Sequence, residues 1–476
     1  MNPQLNPTFP LASYPPEPGT ASLLGIYDQR QEGLHMQRVK VHRGDISPEQ
    51  LRALADLARR YTPDYPLHLT TRQDFQFHGV RPEDVCAVQA GIAEVGLTTL
   101  GACGDSLRNI TTCPENGLVA GTVDVSGIAD AIKSAAESLP FIRQIPRKFK
   151  MSLSGCPLGC GRPWINDLGF VARAEGTFRV IGAGSLGRRP ATGIELYESL
   201  DVSEIVPLVV ASLRLFNREG DREHRYRARF RHVRERLGDD EFTDRLHEEF
   251  QRTVGEKQWP VPQPRTVEKG LSLLGHLHFP FGDIGARLAT ELAGEVEKLH
   301  GRIRLGFEHD LFVYGPGGAE LPPDLAALED GPRIVACPGT TWCSRGLSDS
   351  RGVEAALREN SASLDGLSIG ISGCPNNCAH AAVADIGLTG RIKKLKDGRT
   401  QCFRLLAGGG KGRTPQLGVE LCAAVRADTA PQVVAWLAER YGHFRGRQSE
   451  ASFSEFVCRN RQELAEGIGR VSGVET

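Results

Sequence analysis

KFKMSLSGCPLGCGRPWINDLGFVA at residues 148–172 and LDGLSIGISGCPNNCAHAAVADIGLTG at 364–390 are two versions of one unit. Each runs from an apolar stretch into S-G-C-P-x-x-C. Each is followed by a strand into a glycine turn, FRVIGAGSLGRRP at 178–190 and FRLLAGGGKGRTP at 403–415, and then by helical sequence. A second pair lies upstream of these. MQRVKVHRGDIS at 36–47 leads through a helix to LHLTTRQDFQFHGV at 67–80, and LGHLHFPFGDIG at 274–285 leads through a helix to IRLGFEHDLFVYGP at 303–316. Both read as strand, Gly-Asp-Ile turn, helix, strand. Ser47 can cap the first helix and Pro48 suits its first turn, with Leu51, Leu54, Ala55 and Ala58 on its apolar face. The order is A–B–A′–B′, with an Arg-rich insert near 217–240 and a Pro-rich link near 259–265. This predicts an internally duplicated α+β fold with pseudo-two-fold symmetry and a central cleft suited to a cofactor.

The 476 residues allow two to four domains, and 40% hydrophobic with 24% charged residues is ordinary for a globular chain. A net charge of −1 argues against nucleic acid or an acidic membrane surface as partner, so working positive charge must be local. No apolar run reaches the roughly 18 residues of a membrane span. The start, MNPQLNPTFPLASYPPEP, lacks the basic and apolar regions of a secretory signal and reads as an extended arm, so a cytoplasmic protein is expected. Neither GAGSLG nor GGGKG has dinucleotide-fingerprint spacing, which leaves electron supply to a partner.

Of 12 cysteines, Cys86, Cys402, Cys422 and Cys458 are scattered in apolar or helical contexts and read as ordinary thiols. The rest cluster, which in a reducing compartment points to metal before disulfide. Cys337 and Cys343 lie in ACPGTTWCSRG; Cys374 and Cys378 follow in SGCPNNCAH. Zinc sites prefer gaps of two to four residues, whereas a cubane needs four thiolates around a larger body. Spacing alone leaves an iron–sulfur cluster, zinc and unrelated thiols open.

C-x₅-C followed by C-x₃-C in S-G-C-P-N-x-C resembles the cluster signature of the sirohaem sulfite and nitrite reductase family, and the likeness runs over about residues 24–445. It implies a 4Fe–4S cluster on Cys337, Cys343, Cys374 and Cys378, with Cys378 also ligating the iron of a sirohaem. It further implies a layout in chain order: an arm at 1–22, a ferredoxin-like half-domain at 23–90, a sirohaem- and substrate-binding domain at 91–255, a second half-domain at 266–325, a cluster-binding domain at 326–445 and a tail at 446–476.

Reducing a small oxyanion beside a haem calls for cations that neutralise, orient and protonate it. Arg38 in HMQRVKV, Arg108 in GDSLRNITTCP, and Lys148 and Lys150 in IPRKFKMSL match the family's substrate-binding residues. Strand alternation would put the two lysines on one face with Phe149 opposite. In TTRQDFQFHG, Arg72, Gln76 and His78 share a face and match the strand that contacts sirohaem. Asn109, Arg147 and Arg227 match further cofactor positions.

Aligning GACGDSLRN with VACPGTTWC sets Cys103 opposite Cys337, Arg108 opposite Trp342 and Asn109 opposite Cys343. On that reading one half keeps a substrate loop and the other a cluster loop, with Cys156 and Cys160 as relicts of the duplication; a second cluster is the alternative, against which Cys103 and Cys113 are separated by nine residues rather than five. Some ferredoxin-dependent sulfite reductases of the family join a Tyr to a Cys at positions like Tyr27 and Cys103; a free Cys103 thiol is the alternative. The resemblance gives nitrite reductases Asn where this chain has Lys150. Sulfite carries more charge, so the favoured reaction is sulfite to sulfide. Nitrite to ammonia is the alternative, and a cobalamin-pathway tetrapyrrole oxygenase a further one. The implied donor is ferredoxin or a separate flavoprotein.

Overall fold

The computed structural model describes residues 7–173, 176–329, 331–359, 364–395, 398–412, 415–446, 448 and 450–472. The two S-G-C-P units sit in two five-stranded sheets of identical design. In the first, Leu107–Thr112, Phe149–Ser154, Leu168–Ala172, Thr177–Gly182 and Ile194–Asp201 lie side by side in chain order. Neighbours among the first three are parallel, and the last two strands each run antiparallel to the one before. In the second, Arg333–Ala336, Ser368–Ser372, Ile386–Leu395, Gly398–Ala407 and Val419–Arg426 repeat that order and those directions. Each sheet has its own apolar core. Phe149, Phe170 and Phe178 pack with helix Ile205–Glu219 in one; Ile369, Ile371 and Phe403 pack with helix Ala430–Arg445 in the other.

The smaller repeated units form a third body. Helix Pro48–Tyr61 starts as the sequence predicts: Gln50 N–H donates to Ser47 Oγ at 3.1 Å, and Ser47 N–H donates to Gln50 Oε1 at 3.0 Å. Its apolar face packs on the matching helix Ala286–Lys298. The two Gly-Asp-Ile turns are exchanged. Asp45–Ile46 pairs with Ile303–Arg304 of the second unit, and Asp283–Ile284 pairs with Leu67–His68 of the first. Residues from Leu24 to Leu325 therefore share one core. The expected half-domains exist as folding patterns, but fused, and helix Val85–Glu94 runs past the boundary expected at 90.

The Arg-rich insert runs into helices Phe230–Leu237 and Asp239–Gly255, which put Phe230, Val233, Phe242 and Phe250 into the first core. One further expectation changes. The segment 446–476 is not a tail over its described length. Helix Phe453–Ser472 buries Phe453, Phe456, Val457, Leu464 and Ile468 against the second core, an apolar stripe at helical spacing.

Register also corrects the alignment of the halves. Cys113 N–H donates to Leu153 O and Cys337 N–H donates to Ile371 O, and Leu153 and Ile371 each stand three residues before the S-G-C cysteine. Cys113, not Cys103, is therefore the counterpart of Cys337. The loop from 103 to 106 precedes its strand and has no cluster-loop equivalent. Arg162 and His380 are likewise counterparts, both left-handed at φ 60° and 56°, and they touch: Arg162 Nη1 lies 2.6 Å from His380 Nδ1. The pseudo-two-fold passes between them.

Candidate active site

The four predicted ligands converge at the ends of the second sheet. Cys337 follows strand Arg333–Ala336, Cys343 ends the turn Gly339–Trp342, and Cys374 and Cys378 lie in the loop after Ser368–Ser372. They feel one another's charge. Burial, then Cys378, pushes Cys337 up to about 12 and Cys374 up to about 11. Thiols so crowded and desolvated favour a cation that takes up their charge. Gly373 N–H points at Cys337 Sγ at 3.1 Å, the kind of backbone bond that steadies a metal thiolate. Cys378 alone of the four is exposed.

The first half grips this cluster loop. Arg30 N–H donates to Trp342 O at 2.8 Å, Arg30 Nη2 to Gly346 O at 2.7 Å, and Gln31 Nε2 to Thr341 O at 2.8 Å. Thr71 Oγ1 donates to Cys378 O at 2.7 Å. These residues went unread in the sequence, because nothing in QRQ or TT announces a partner some 300 residues away.

Arg38, Lys148 and Lys150 all lie within electrostatic reach of Cys378. Phe149 packs into the core against Phe216 and Phe230, which leaves the two lysines together on the other face, as alternation predicts. Burial lowers Lys148 to about 7, with Arg108 and Arg229 adding repulsion. Burial, then Arg72 and Lys148, holds Lys150 well below its ordinary range. Burial works against Arg38 too, but Cys103, Asp74, Tyr27 and Cys378 outweigh it and hold the guanidinium above its ordinary range. Gln76 braces Arg38: with its amide oriented to satisfy both neighbours, Oε1 accepts from Arg38 Nη2 at 2.6 Å and Nε2 donates to His78 Nε2 at 3.1 Å. His78 lies against Trp342 of the cluster loop, ring centroids 4.5 Å apart, and its Nδ1 has no partner. The Arg38 row thus leads directly to the cluster loop.

Other predicted residues are placed differently. Arg108 is wrapped by its own loop, donating to Ala102 O at 2.8 Å and Gly104 O at 2.8 Å. Arg72 donates to Asn109 O, Met151 O and Asn166 Oδ1, which leaves only its buried Nε without a partner. Asn109 is wholly buried, and its amide donates to Val41 O at 2.7 Å and Asp74 Oδ1 at 3.0 Å. It ties strands together, and its buried Oδ1 has no partner. Arg147 pairs with Asp105 at 2.8 Å. Arg227 is exposed and lines a cavity of about 590 Å³ with Arg188, Arg189 and Tyr226.

Several charged groups were missed. Lys40 shares the Arg38 face and is lowered by burial to about 8; the alternation that found Lys148 and Lys150 would have found it. Arg229 pairs with the fully buried Asp167 at 2.6 Å, and Asp167 also accepts from Lys150 N–H at 2.7 Å. Glu308 joins Arg162 and Lys411, each at 2.6 Å. Tyr27, which the sequence did single out, accepts at Oη from Gly104 N–H at 3.4 Å, beside Cys103.

Comparison with known proteins agrees with this arrangement. The family of the nitrite and sulphite reductase 4Fe–4S domain matches residues 103–254 and 332–457, and that of the nitrite/sulfite reductase ferredoxin-like half domain matches 27–95. The assimilatory ferredoxin-dependent nitrite reductase of Haloferax mediterranei is 30% identical over 88% of this chain and 82% of its own. The ferredoxin–nitrite reductase of Synechococcus elongatus is 29% identical over 86% of this chain and 87% of its own. In three dimensions the Mycobacterium tuberculosis NirA protein superposes with a TM-score of 0.77 at 22% identity, covering 93% of this chain and 90% of that one. With four convergent thiols, a buried set of cations beside one of them, and family matches across both halves, the chain belongs to the nitrite and sulphite reductase family of oxidoreductases.

Proposed function

We propose that the protein catalyses the six-electron reduction of nitrite to ammonium, with a ferredoxin as donor. The observation that carries this is the convergence of Arg38, Lys148 and Lys150 on Cys378. The curated relatives that match over most of the chain are ferredoxin-dependent nitrite reductases. No helix among the described residues is long and apolar enough to cross a membrane, which suits a donor that arrives by diffusion.

The residues fit a 4Fe–4S cluster on Cys337, Cys343, Cys374 and Cys378. They also fit a sirohaem seated against Cys378. Around that thiol, buried cations outnumber carboxylates: burial lowers Arg72, Arg108, Lys148 and Lys150, and neighbouring cations lower Lys148 and Lys150 further. An anionic macrocycle supplies the missing countercharge, and Arg72 Nε and His78 Nδ1 are buried donors without partners. When bound, the cluster and sirohaem supply the electrons and the iron at which nitrite is reduced. Arg38, fixed by Gln76, holds the negative oxygens of the substrate. Lys148, lowered to about 7, can carry a proton to a departing oxygen and be reloaded from water near neutral pH.

Sulfite reduction is the second reading, and Lys150 favours it by adding a donor on the Lys148 face. Steady-state kcat/KM for the two anions, with a dye reductant and then with reduced ferredoxin, decides between them. A higher value for nitrite is expected. A purified protein without an isobacteriochlorin spectrum would remove both readings.

A further inference from the structure

Cys113, Cys156 and Cys160 lie in the other half of the molecule, and the reduction chemistry has no use for them. Their three sulfurs are all within 4.8 Å of one another, and Cys156 and Cys160 are 3.8 Å apart. Cys113 and Cys156 are buried and Cys160 is partly so. They occupy the places that Cys337, Cys374 and Cys378 hold in the second half. The fourth place differs: Cys343 stands six residues after Cys337, but six residues after Cys113 stands Val119. The segment after the Pro-rich link lies against the loop there: Leu271 N–H donates to Leu118 O at 2.7 Å and Gly121 N–H to Val267 O at 2.9 Å. A cubane would lack its fourth thiolate.

Spacing separates the two sets. A tetrahedral ion with metal–sulfur bonds of about 2.3 Å sets its sulfurs about 3.8 Å apart. That is the Cys156–Cys160 distance, and three sulfurs within 4.8 Å close on such an ion with small side-chain adjustments. Among the described residues, no three of the second half's cluster thiols draw that close, as ligands of a larger body should not.

We propose that Cys113, Cys156 and Cys160 form a second, mononuclear metal site for one thiophilic divalent cation of the zinc class. A water completes the tetrahedron. Binding ties the strand ending at Thr112 to the loop after Ser154 and releases the thiol protons to solvent. The two halves would then each hold a metal centre on the same loop architecture, redox-active in one and structural in the other. This inference is independent of the choice between nitrite and sulfite.

The test uses full-length holoprotein purified without chelators. Expected results are one zinc per chain in addition to the iron, and a zinc K-edge absorption spectrum showing three sulfurs at about 2.3 Å. Cys160→Ser should lower zinc retention at least about tenfold while leaving iron content and the visible spectrum unchanged. Because that variant can weaken the loop, the wild-type zinc edge stands as a separate test. The proposal is overturned if wild-type protein given equimolar Zn²⁺ and desalted keeps none. It is equally overturned by a zinc shell without three sulfurs, by a Cys156–Cys160 disulfide in peptide mass spectra, or by loss of iron in Cys156→Ser.

Discussion

Lys150 illustrates how burial changes what a lysine contributes. Read from sequence it is a fourth fixed cation, whereas in the fold desolvation and then Arg72 and Lys148 hold it well below its ordinary range. A more highly charged anion offsets that desolvation more strongly. A unit charge a few ångströms away is worth about 1–4 kcal/mol at intermediate dielectric. Lys150→Asn is therefore expected to lower kcat/KM for sulfite at least about tenfold and that for nitrite by less than about threefold, since about 1.4 kcal/mol is tenfold. Steady-state rates with a dye reductant check this; equal losses would make Lys150 a general electrostatic contributor. Residue types on strands were legible because alternation is strict: Lys148 and Lys150 on one face, Phe149 on the other. The strand ties made by Asn109 were not, because its partners Val41 and Asp74 come from strands whose pairing no local pattern states. The wrapping of Arg108 was not either, because a loop closing on its own arginine leaves no periodic trace.

At the level of elements, two glycines let the cluster loops meet, and one carboxylate ties the two sheet domains together. A Cβ on Gly373 would lie 2.7 Å from Gly339 Cα and 2.8 Å from Ser348 O, so the two cysteine-bearing loops meet only because both positions lack side chains. Gly373→Ala should separate Cys337 from Cys374 and reduce iron and acid-labile sulfide to well under half of wild type, with far-ultraviolet dichroism little changed. Glu308, from the turn between Arg302–Leu305 and Asp310–Gly315, ties Arg162 of one sheet domain to Lys411 of the other. Burial opposes its charge, yet Lys411 and Arg162 hold its carboxyl far below the ordinary range. A depressed folded value means the contribution is complete above the unfolded value, about 4.3, and is lost as pH falls through the folded one. Glu308→Gln should therefore cost about 3–5 kcal/mol near pH 7 by stranding two cations. The gap to wild type should narrow below about pH 4.5. Urea midpoints at pH 7 and pH 4 measure both. The four cysteines of the second half stood out through the resemblance of their C-x₅-C and C-x₃-C motifs, whereas the match of Cys113 with Cys337 needed strand register, because the two halves differ in the length of chain between that cysteine and S-G-C-P.

Over the whole molecule, the duplication was visible because each repeat carries its own turn and cysteine signatures, but the exchange of strands was not. A Gly-Asp-Ile turn reads the same whether it pairs within its own half or with the other, and only the core shared from Leu24 to Leu325 makes the difference. The exchange has a consequence for folding. Cutting the chain in the Pro-rich link, between residues 262 and 263, removes Asp283–Ile284 from the Leu67–Leu69 edge and Asp45–Ile46 from the Arg302–Leu305 edge. It also uncovers the facing apolar sides of helices Pro48–Tyr61 and Ala286–Lys298, with Leu51, Leu54, Leu292 and Val296 among them. Each such side chain returned to water costs about 1.5–3 kcal/mol. Native stability is only about 5–15 kcal/mol, so four or five of them suffice to erase it. Residues 1–262 or 263–476 expressed alone should therefore aggregate or lack a cooperative unfolding transition, and their bare sheet edges favour aggregation. Co-expressed, the two fragments should copurify at one-to-one stoichiometry and bind iron, because the link's own contacts, at Val123–Asp124 and Leu118, are few beside the shared core. A soluble, monomeric and cooperatively unfolding 1–262 fragment would show that the first half does not need the exchanged strand.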